Sequence, residues 1–314
     1  MVAVAAMLWG TDTLFRVPLL HHLSSNGLVQ ATQLVLMEHV ILVVCSIPLL
    51  WLARRQISRL TGRQWAAIAA IGVGASGLAT VLFTLSFSYG HFIETLLLQK
   101  TQPLIAILLA SLWLRERLAP AAWALVPVAL VGAYLIAVPD PLRPQNAWAD
   151  FHIAAALFAL GASALWGAAT VFGRYALADV SFTALTGLRF TTALPALAVL
   201  LYVEGGISGF TVYRPEDAPL YLGLALLPGL LAMLLYYRGL ASTPAAIATL
   251  AELAFPITGV LLNLFLVTPR QSITTYQVVG IVVLWGALAV LDRINARKPA
   301  ILPIGARRAI SSAA

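Results

Sequence analysis

Residues 8–15 read Leu-Trp-Gly-Thr-Asp-Thr-Leu-Phe, and residues 165–172 read Leu-Trp-Gly-Ala-Ala-Thr-Val-Phe. The stretches lie 157 residues apart and share, in register, Leu-Trp-Gly, a threonine (Thr13, Thr170) and a phenylalanine (Phe15, Phe172). A second echo comes at an offset of 153, where Pro103 meets Pro256 and a Leu/Ile-rich run follows each. Loops of unequal length account for the drift. Self-similarity at a long, near-constant offset marks a duplicated chain. If each copy crosses a membrane an odd number of times, the second enters from the opposite side, and the duplication becomes an inverted repeat.

Composition supports the membrane. The chain is 61% apolar and only 10% charged, against about 25% charged in an average soluble domain. It breaks into ten apolar stretches, at 4–20, 28–52, 66–89, 94–114, 120–138, 151–177, 182–202, 218–240, 245–267 and 274–292. Each is long enough to cross a ~30 Å hydrocarbon core as a helix. The alternation of a membrane barrel is missing. The first stretch has no basic leader and contains Asp12, so it reads as a span and not as a signal peptide. The one cysteine, Cys45, lies inside the second stretch and reads as a small buried apolar residue.

Basic residues near short loops mark the cytoplasmic side. Arg54, Arg55, Arg59 and Arg63 follow span 2, Arg115 and Arg117 follow span 4, and Arg174 and Arg238 close spans 6 and 8. With Arg293, Arg297, Lys298, Arg307 and Arg308 they place thirteen positive charges on one side. The other side has Arg16, Arg143, Arg214 and Arg270. Ten spans with both termini cytoplasmic fit this asymmetry. The expected fold is therefore an all-α membrane protein of ten transmembrane helices, in two inverted-topology five-helix repeats. Residues 1–138 form the first repeat, 139–150 a periplasmic connecting loop, 151–292 the second repeat and 293–314 a basic tail near anionic headgroups. Such repeats place a substrate site near the midplane between them, and their symmetry supplies two similar arrangements that open to opposite sides.

An ionisable group within the bilayer implies a pathway, a pairing or a cavity. Asp12 and Arg16 are four residues apart and can pair along one helix face or meet a substrate. Glu38-His39 lies near the middle of span 2, where the pair could relay a proton or cap a broken backbone; the first option would make protons the coupling ion. Arg189 lies within two turns of the cytoplasmic end of span 7 and is expected to snorkel. In spans 4 and 9, Pro103 and Pro256 are expected to kink their helices and free a carbonyl one turn earlier. That turn holds Gln99-Lys100 in one half and Glu252 in the other. Lining a central cavity, Lys100 and Glu252 would suit a zwitterionic cargo; alternatively they satisfy the freed carbonyls. Trp9, Trp166, Tyr89, Tyr236 and Tyr237 are candidates for its apolar walls, although tryptophans also pack between helices. The expected substrate cavity thus comprises Trp9, Asp12, Glu38, His39, Tyr89, Gln99, Lys100, Trp166, Tyr237 and Glu252.

Gly72-Val-Gly-Ala-Ser-Gly77 spells a dinucleotide-binding GxGxxG, but that loop must follow a strand. Inside an apolar span its small residues are expected to permit close helix packing. The sequence contains no HExxH, Walker loop or CxxC, and His21, His22 and His91 lack ligand spacing for a metal. No cofactor, metal or nucleic-acid partner is expected.

The Leu-Trp-Gly openings, Pro103 with its following run, Trp113-Leu-Arg-Glu-Arg-Leu118, Val131-Gly-Ala-Tyr-Leu-Ile136 and Trp285-Gly-Ala-Leu288 together resemble the EamA-type branch of the drug/metabolite transporter superfamily. The resemblance covers about residues 4–292 and, among members, looks most like bacterial aromatic amino acid exporters. It implies a bacterial inner-membrane secondary transporter that exports amino acids or similar small metabolites by alternating access. One departure is that Glu116 has no acidic counterpart in the second half, where Pro269-Arg270 stands. A nucleotide-sugar, phosphate-ester or drug carrier is an alternative within the superfamily; the first two would need more converging basic residues than Lys100 and Arg189. An intramembrane enzyme is disfavoured, because no catalytic constellation is visible.

Overall fold

A computed structural model of the protein describes residues 1–102, 104–105, 120–138, 140–143, 145–146, 152–177, 180–211, 213–240, 251–252, 254–268 and 272–296. Among these residues all regular structure is helical. In chain order the helices are α1 (Val2–His22), α2 (Gly27–Ile57), α3 (Gly62–Ser88), α4 (Phe92–Leu98), α5 (Pro120–Ala137), α6 (His152–Ala176), α7 (Phe182–Gly205), α8 (Pro215–Gly239), α9 (Ala254–Phe265) and α10 (Thr275–Ala296). Five of them, α1, α2, α3, α7 and α8, are long and apolar enough to cross a membrane. Shorter apolar runs lie within α5, α6, α9 and α10. Pro103, the Trp113–Leu118 motif with Glu116, Arg270 and the tail from 297 onward fall outside the described residues.

Several helix starts are written in the sequence. Thr61 opens α3 with a reciprocal capping box to Gln64, and Thr274 repeats the device with Gln277 at α10. The Ser181 hydroxyl accepts from the Ala184 amide at the start of α7. Two helices depart from α geometry midway. Ala70–Leu78 in α3 and Ala225–Leu231 in α8 are π-helical, and they begin 155 residues apart, between the offsets of 153 and 157 at which the sequence echoes itself.

Large apolar side chains face outward as well as inward, and several charged ones are buried. Leu52, Val199, Val203 and Val282 face outward, whereas Asp12, Arg16, Glu38, His39, Lys100 and Arg189 are buried. A water-soluble protein does the reverse. Helix α2 packs along α7, and α5 along α10; α1 lies against α8 and α9, and α6 against α3 and α4. This pattern maps onto itself when each helix of α1–α5 is exchanged for its counterpart in α6–α10.

Close backbone approach fixes the α5–α10 pair. A Cβ added at Gly132 would lie 2.6 Å from the Leu284 nitrogen and 2.9 Å from the Gly280 oxygen, and one at Gly280 would lie 2.8 Å from the Gly132 oxygen. Backbone atoms cannot rotate aside, so Gly132→Val forces the helices apart and is expected to cost about 1–3 kcal/mol. Gly286→Ala on the same α10 meets nothing within 4 Å and should be tolerated. Thermal unfolding of the two variants in detergent checks this, and equal stability would remove the crossing from the account.

Candidate functional site

One cavity lies where α1, α2, α3, α6, α7 and α8 converge with the Gln99–Lys100 turn and Glu252; it holds about 1160 Å³ of open space, mouth included. Nine of the ten expected residues line it: Trp9, Asp12, Glu38, His39, Gln99, Lys100, Trp166, Tyr237 and Glu252. Tyr89 is not among its lining residues. It stands at the end of α3 and stacks on Phe158, ring centres 5.9 Å apart and planes 15° apart.

Aromatic rings from Trp9, Phe83, Trp166, Phe190, Tyr236, Tyr237 and Phe255 share the walls with polar and charged side chains. Trp9 packs on Tyr236 at 4.9 Å between ring centres, and Trp166 meets Phe83 edge-on at 5.3 Å. The Trp166 indole N–H donates to the Ala75 carbonyl at 2.8 Å, inside the π-helical stretch of α3. A π turn leaves carbonyls out of the regular ladder and recurs at functional sites; here it gives Trp166 an anchor. The other π stretch brings Pro228 and Gly229 to the cavity.

Asp12 and Arg16 form the i,i+4 pair their spacing allows. Arg16 donates from Nε and Nη2 to the two Asp12 oxygens, each at 2.6 Å, then from Nη2 to Glu38 Oε2 at 3.1 Å and from Nη1 to Thr84 Oγ1 at 2.8 Å. One guanidinium thus serves two buried carboxylates. Arg16, counted above with the outer positive charges, is only 1% exposed, so it does not mark the interface. His39 points Nδ1 at the Val35 carbonyl, 2.9 Å away. A carbonyl only accepts, so Nδ1 carries the proton, and Nε2 has no hydrogen-bond partner among the described residues.

Lys100 and Glu252 bond to each other. Lys100 Nζ lies 3.6 Å from Glu252 Oε2 and 4.9 Å from the Phe255 ring centre, while the Tyr236 hydroxyl donates to Glu252 Oε1 at 2.8 Å. The chain leaves α geometry at Gln99–Thr101, in the turn before Pro103. The Gln99 carbonyl, four residues ahead of that proline, accepts from the Gln102 amide and from Ser163 Oγ at 3.2 Å; these, and not Lys100, serve it. Pro256 is buried in α9, two residues after its described start.

Arg189 does not snorkel. It is buried, donating from Nε to Ser76 Oγ at 2.6 Å and from Nη1 to the Tyr237 hydroxyl at 3.0 Å and to Met233 Sδ at 3.1 Å. The GxGxxG run brings its helix close: a Cβ at Gly72 would stand 2.7 Å from the Arg189 carbonyl oxygen. Distance from a helix end had suggested an interfacial arginine. That measure ignores the cavity which Ser76 and Tyr237 line beside it.

The cavity follows α6 through Trp166, Ala169 and Gly173 to Leu177. At the other end of the bundle Leu19, Leu20, Leu23, Phe87, Phe92 and Tyr221 pack together. Beyond them His22 Nδ1 meets Asp217 Oδ1 at 2.6 Å, Gln33 Nε2 donates to the Gly209 carbonyl at 3.0 Å, and the Tyr213 hydroxyl donates to the Gln33 carbonyl at 3.0 Å. Burial pushes the Tyr213 phenol up to about 12, so it remains a donor in neutral water.

Fold and cavity together define a multi-pass helical membrane protein with a polar chamber at its centre. The chain belongs to the EamA-like transporter family, whose model matches it twice, over residues 1–138 and 153–291. Family membership points to a transporter and not to an enzyme. The chain is similar to the riboflavin transporter ImpX of Fusobacterium nucleatum subsp. nucleatum, 33% identical over 191 residues, covering 61% of this chain and 63% of that protein. It is also similar to a riboflavin transporter of Rhizobium johnstonii, 33% identical over 177 residues, covering 54% of this chain and 49% of that protein. In both cases the match spans less than two thirds of the relative's length. A solved crystal structure described only as that of a protein shares the fold, at a TM-score of 0.57 and 18% identity over 94% of this chain and 96% of its own.

Proposed function

We propose that the protein is a secondary transporter of the bacterial inner membrane with ten spans in two inverted halves and both termini cytoplasmic. It moves a planar heteroaromatic metabolite of the riboflavin class through the central cavity by alternating access. The observation that carries this reading is the cavity itself, a chamber walled by Trp9, Phe83, Trp166, Phe190, Tyr236 and Tyr237. Stacked rings hold a flat aromatic cargo through apolar contact and ring–ring geometry, and the relatives' names point to the same chemical class. The twofold match of the family model, the exchangeable packing pattern and the paired π-helical stretches support two related halves. On the proposed orientation the cavity reaches the cytoplasmic ends of the helices, and the periplasmic end is shut.

Amino acid export, the finer expectation from the resemblance, rests on Lys100 and Glu252 receiving the two charges of a zwitterion. Their bond to each other engages both, so the geometry favours the aromatic cargo. Reconstituted into liposomes loaded with riboflavin, the protein is expected to release flavin fluorescence faster than empty vesicles, and labelled amino acids no faster. The reverse pattern would replace this reading with amino acid export, and no difference for any substrate would remove the transport assignment. Running the assay with and without a pH gradient decides whether Glu38-His39 couples transport to protons.

A further inference from the structure

Two features of the cavity are left incomplete by the packing around them. One is a cation without an anion: among the described residues no carboxylate lies within ion-pair distance of Arg189, which is only 7% exposed, and its Nη2 has no hydrogen-bond partner. The other is an acceptor without a donor: Nε2 of His39, a residue 2% exposed, is unpartnered among the described residues although the ring lines the cavity. An uncompensated charge or an orphaned buried lone pair costs stability, and an occupant of the cavity would complete both. Both stand beside Phe190. The His39 ring meets it edge-on at 5.9 Å, and the Arg189 guanidinium carbon lies 5.8 Å from its centre.

A ligand that fits must offer acceptors to a guanidinium fork and a donor to an imidazole lone pair, on a body flat enough for the aromatic walls. We infer that Arg189 and His39 form the polar subsite that reads a pyrimidine-dione edge, a ring N–H flanked by two carbonyl oxygens. Arg189 donates to a carbonyl of that edge, and the ring N–H donates to His39 Nε2. The inference rests on the proposed function, since a flavin carries this edge on its isoalloxazine ring. Gln99 Oε1, unpartnered among the described residues and also on the wall, is a further acceptor for hydroxyls on the rest of the cargo. An anionic group on the cargo would engage Arg189 alone and leave His39 unused; the two chemistries therefore separate experimentally.

The test is binding to the full chain in nanodiscs, using riboflavin, N3-methylriboflavin, flavin mononucleotide, lumazine and 3-methyllumazine. Methylation of the edge nitrogen removes the donor to His39, and is expected to weaken binding at least about tenfold by leaving a buried acceptor unpaired. In His39→Ala the same methylation should matter by less than about threefold, as a double-mutant cycle requires. His39→Gln, which offers an amide oxygen in place of Nε2, should restore part of the discrimination. Equal binding of riboflavin and its N3-methyl derivative overturns the subsite and leaves the flavin reading standing. If riboflavin fails to bind while lumazine binds and 3-methyllumazine does not, the flavin reading falls and the subsite stands. Tighter binding of the mononucleotide, with no effect of methylation, makes Arg189 an anion site and overturns the inference. Failure of every probe overturns both.

Discussion

Replacing Arg16 with methionine is expected to destabilise the folded protein by about 3–5 kcal/mol, the usual cost of removing one partner from a buried ion cluster. Arg16 is 1% exposed and holds both Asp12 oxygens, one Glu38 oxygen and the Thr84 hydroxyl. Without it, two carboxylates from α1 and α2 face each other with no positive partner, and Thr84 of α3 loses its hydrogen bond to α1. Exposed pairs at i,i+4 contribute only about 0.3–0.5 kcal/mol; here burial makes the difference, because water cannot replace the guanidinium. The measurement is thermal unfolding and monodisperse yield in mild detergent. Neutralising the whole cluster, Asp12→Asn with Arg16→Met and Glu38→Gln, should recover most of the loss, since no uncompensated charge is left inside. A single variant as stable as the parent would show that the cluster does not hold α1, α2 and α3 together.

What the sequence reveals of this site follows from its self-similarity. Trp9 and Trp166, or the Gln99–Lys100 turn and Glu252, are separated by the offsets at which the sequence echoes itself, and all of them line the cavity. Pairing along one helix is legible too: Asp12 and Arg16 are one turn apart, and the bond forms. Pairing between helices is not. Lys100 and Glu252 lie 152 positions apart, and nothing in a single chain says that one will neutralise the other. Arg189 was placed by its distance from a helix end, a rule for charges with only lipid beside them. The deciding fact is that Ser76 and Tyr237 stand within hydrogen-bond reach, and that is tertiary. Tyr89 failed for a related reason. An aromatic at a span end resembles a cavity wall in composition, but Phe158 takes its face. The π-helical turns left no mark either. They widen a helix locally without altering the apolar character by which a span is recognised.

Lys100→Met gives the second large effect, about 3–5 kcal/mol of destabilisation. Glu252, with a side chain 13% exposed, would keep, among the described residues, the Tyr236 hydroxyl alone, and the Phe255 ring would lose the cation over its face. The double variant Lys100→Met with Glu252→Gln removes both charges and should regain most of that stability. Its transport separates two roles that one substitution confounds. As a strut between the Gln99–Lys100 turn and the residues ahead of α9, the pair needs only to be mutually satisfied, so the double variant should carry riboflavin within about threefold of the parent, a difference of about 0.65 kcal/mol. As the receptor for a zwitterion, both charges would be required at once, and the stable double variant would carry nothing. Stability rules out misfolding as the cause of any loss, and the flavin and amino acid assays run on the same vesicles then say which cargo the pair serves. A folded double variant that has lost flavin transport would return Lys100 and Glu252 to the list of groups that touch the cargo. In that case the pair at 3.6 Å is the resting form of a site that opens when the cargo arrives.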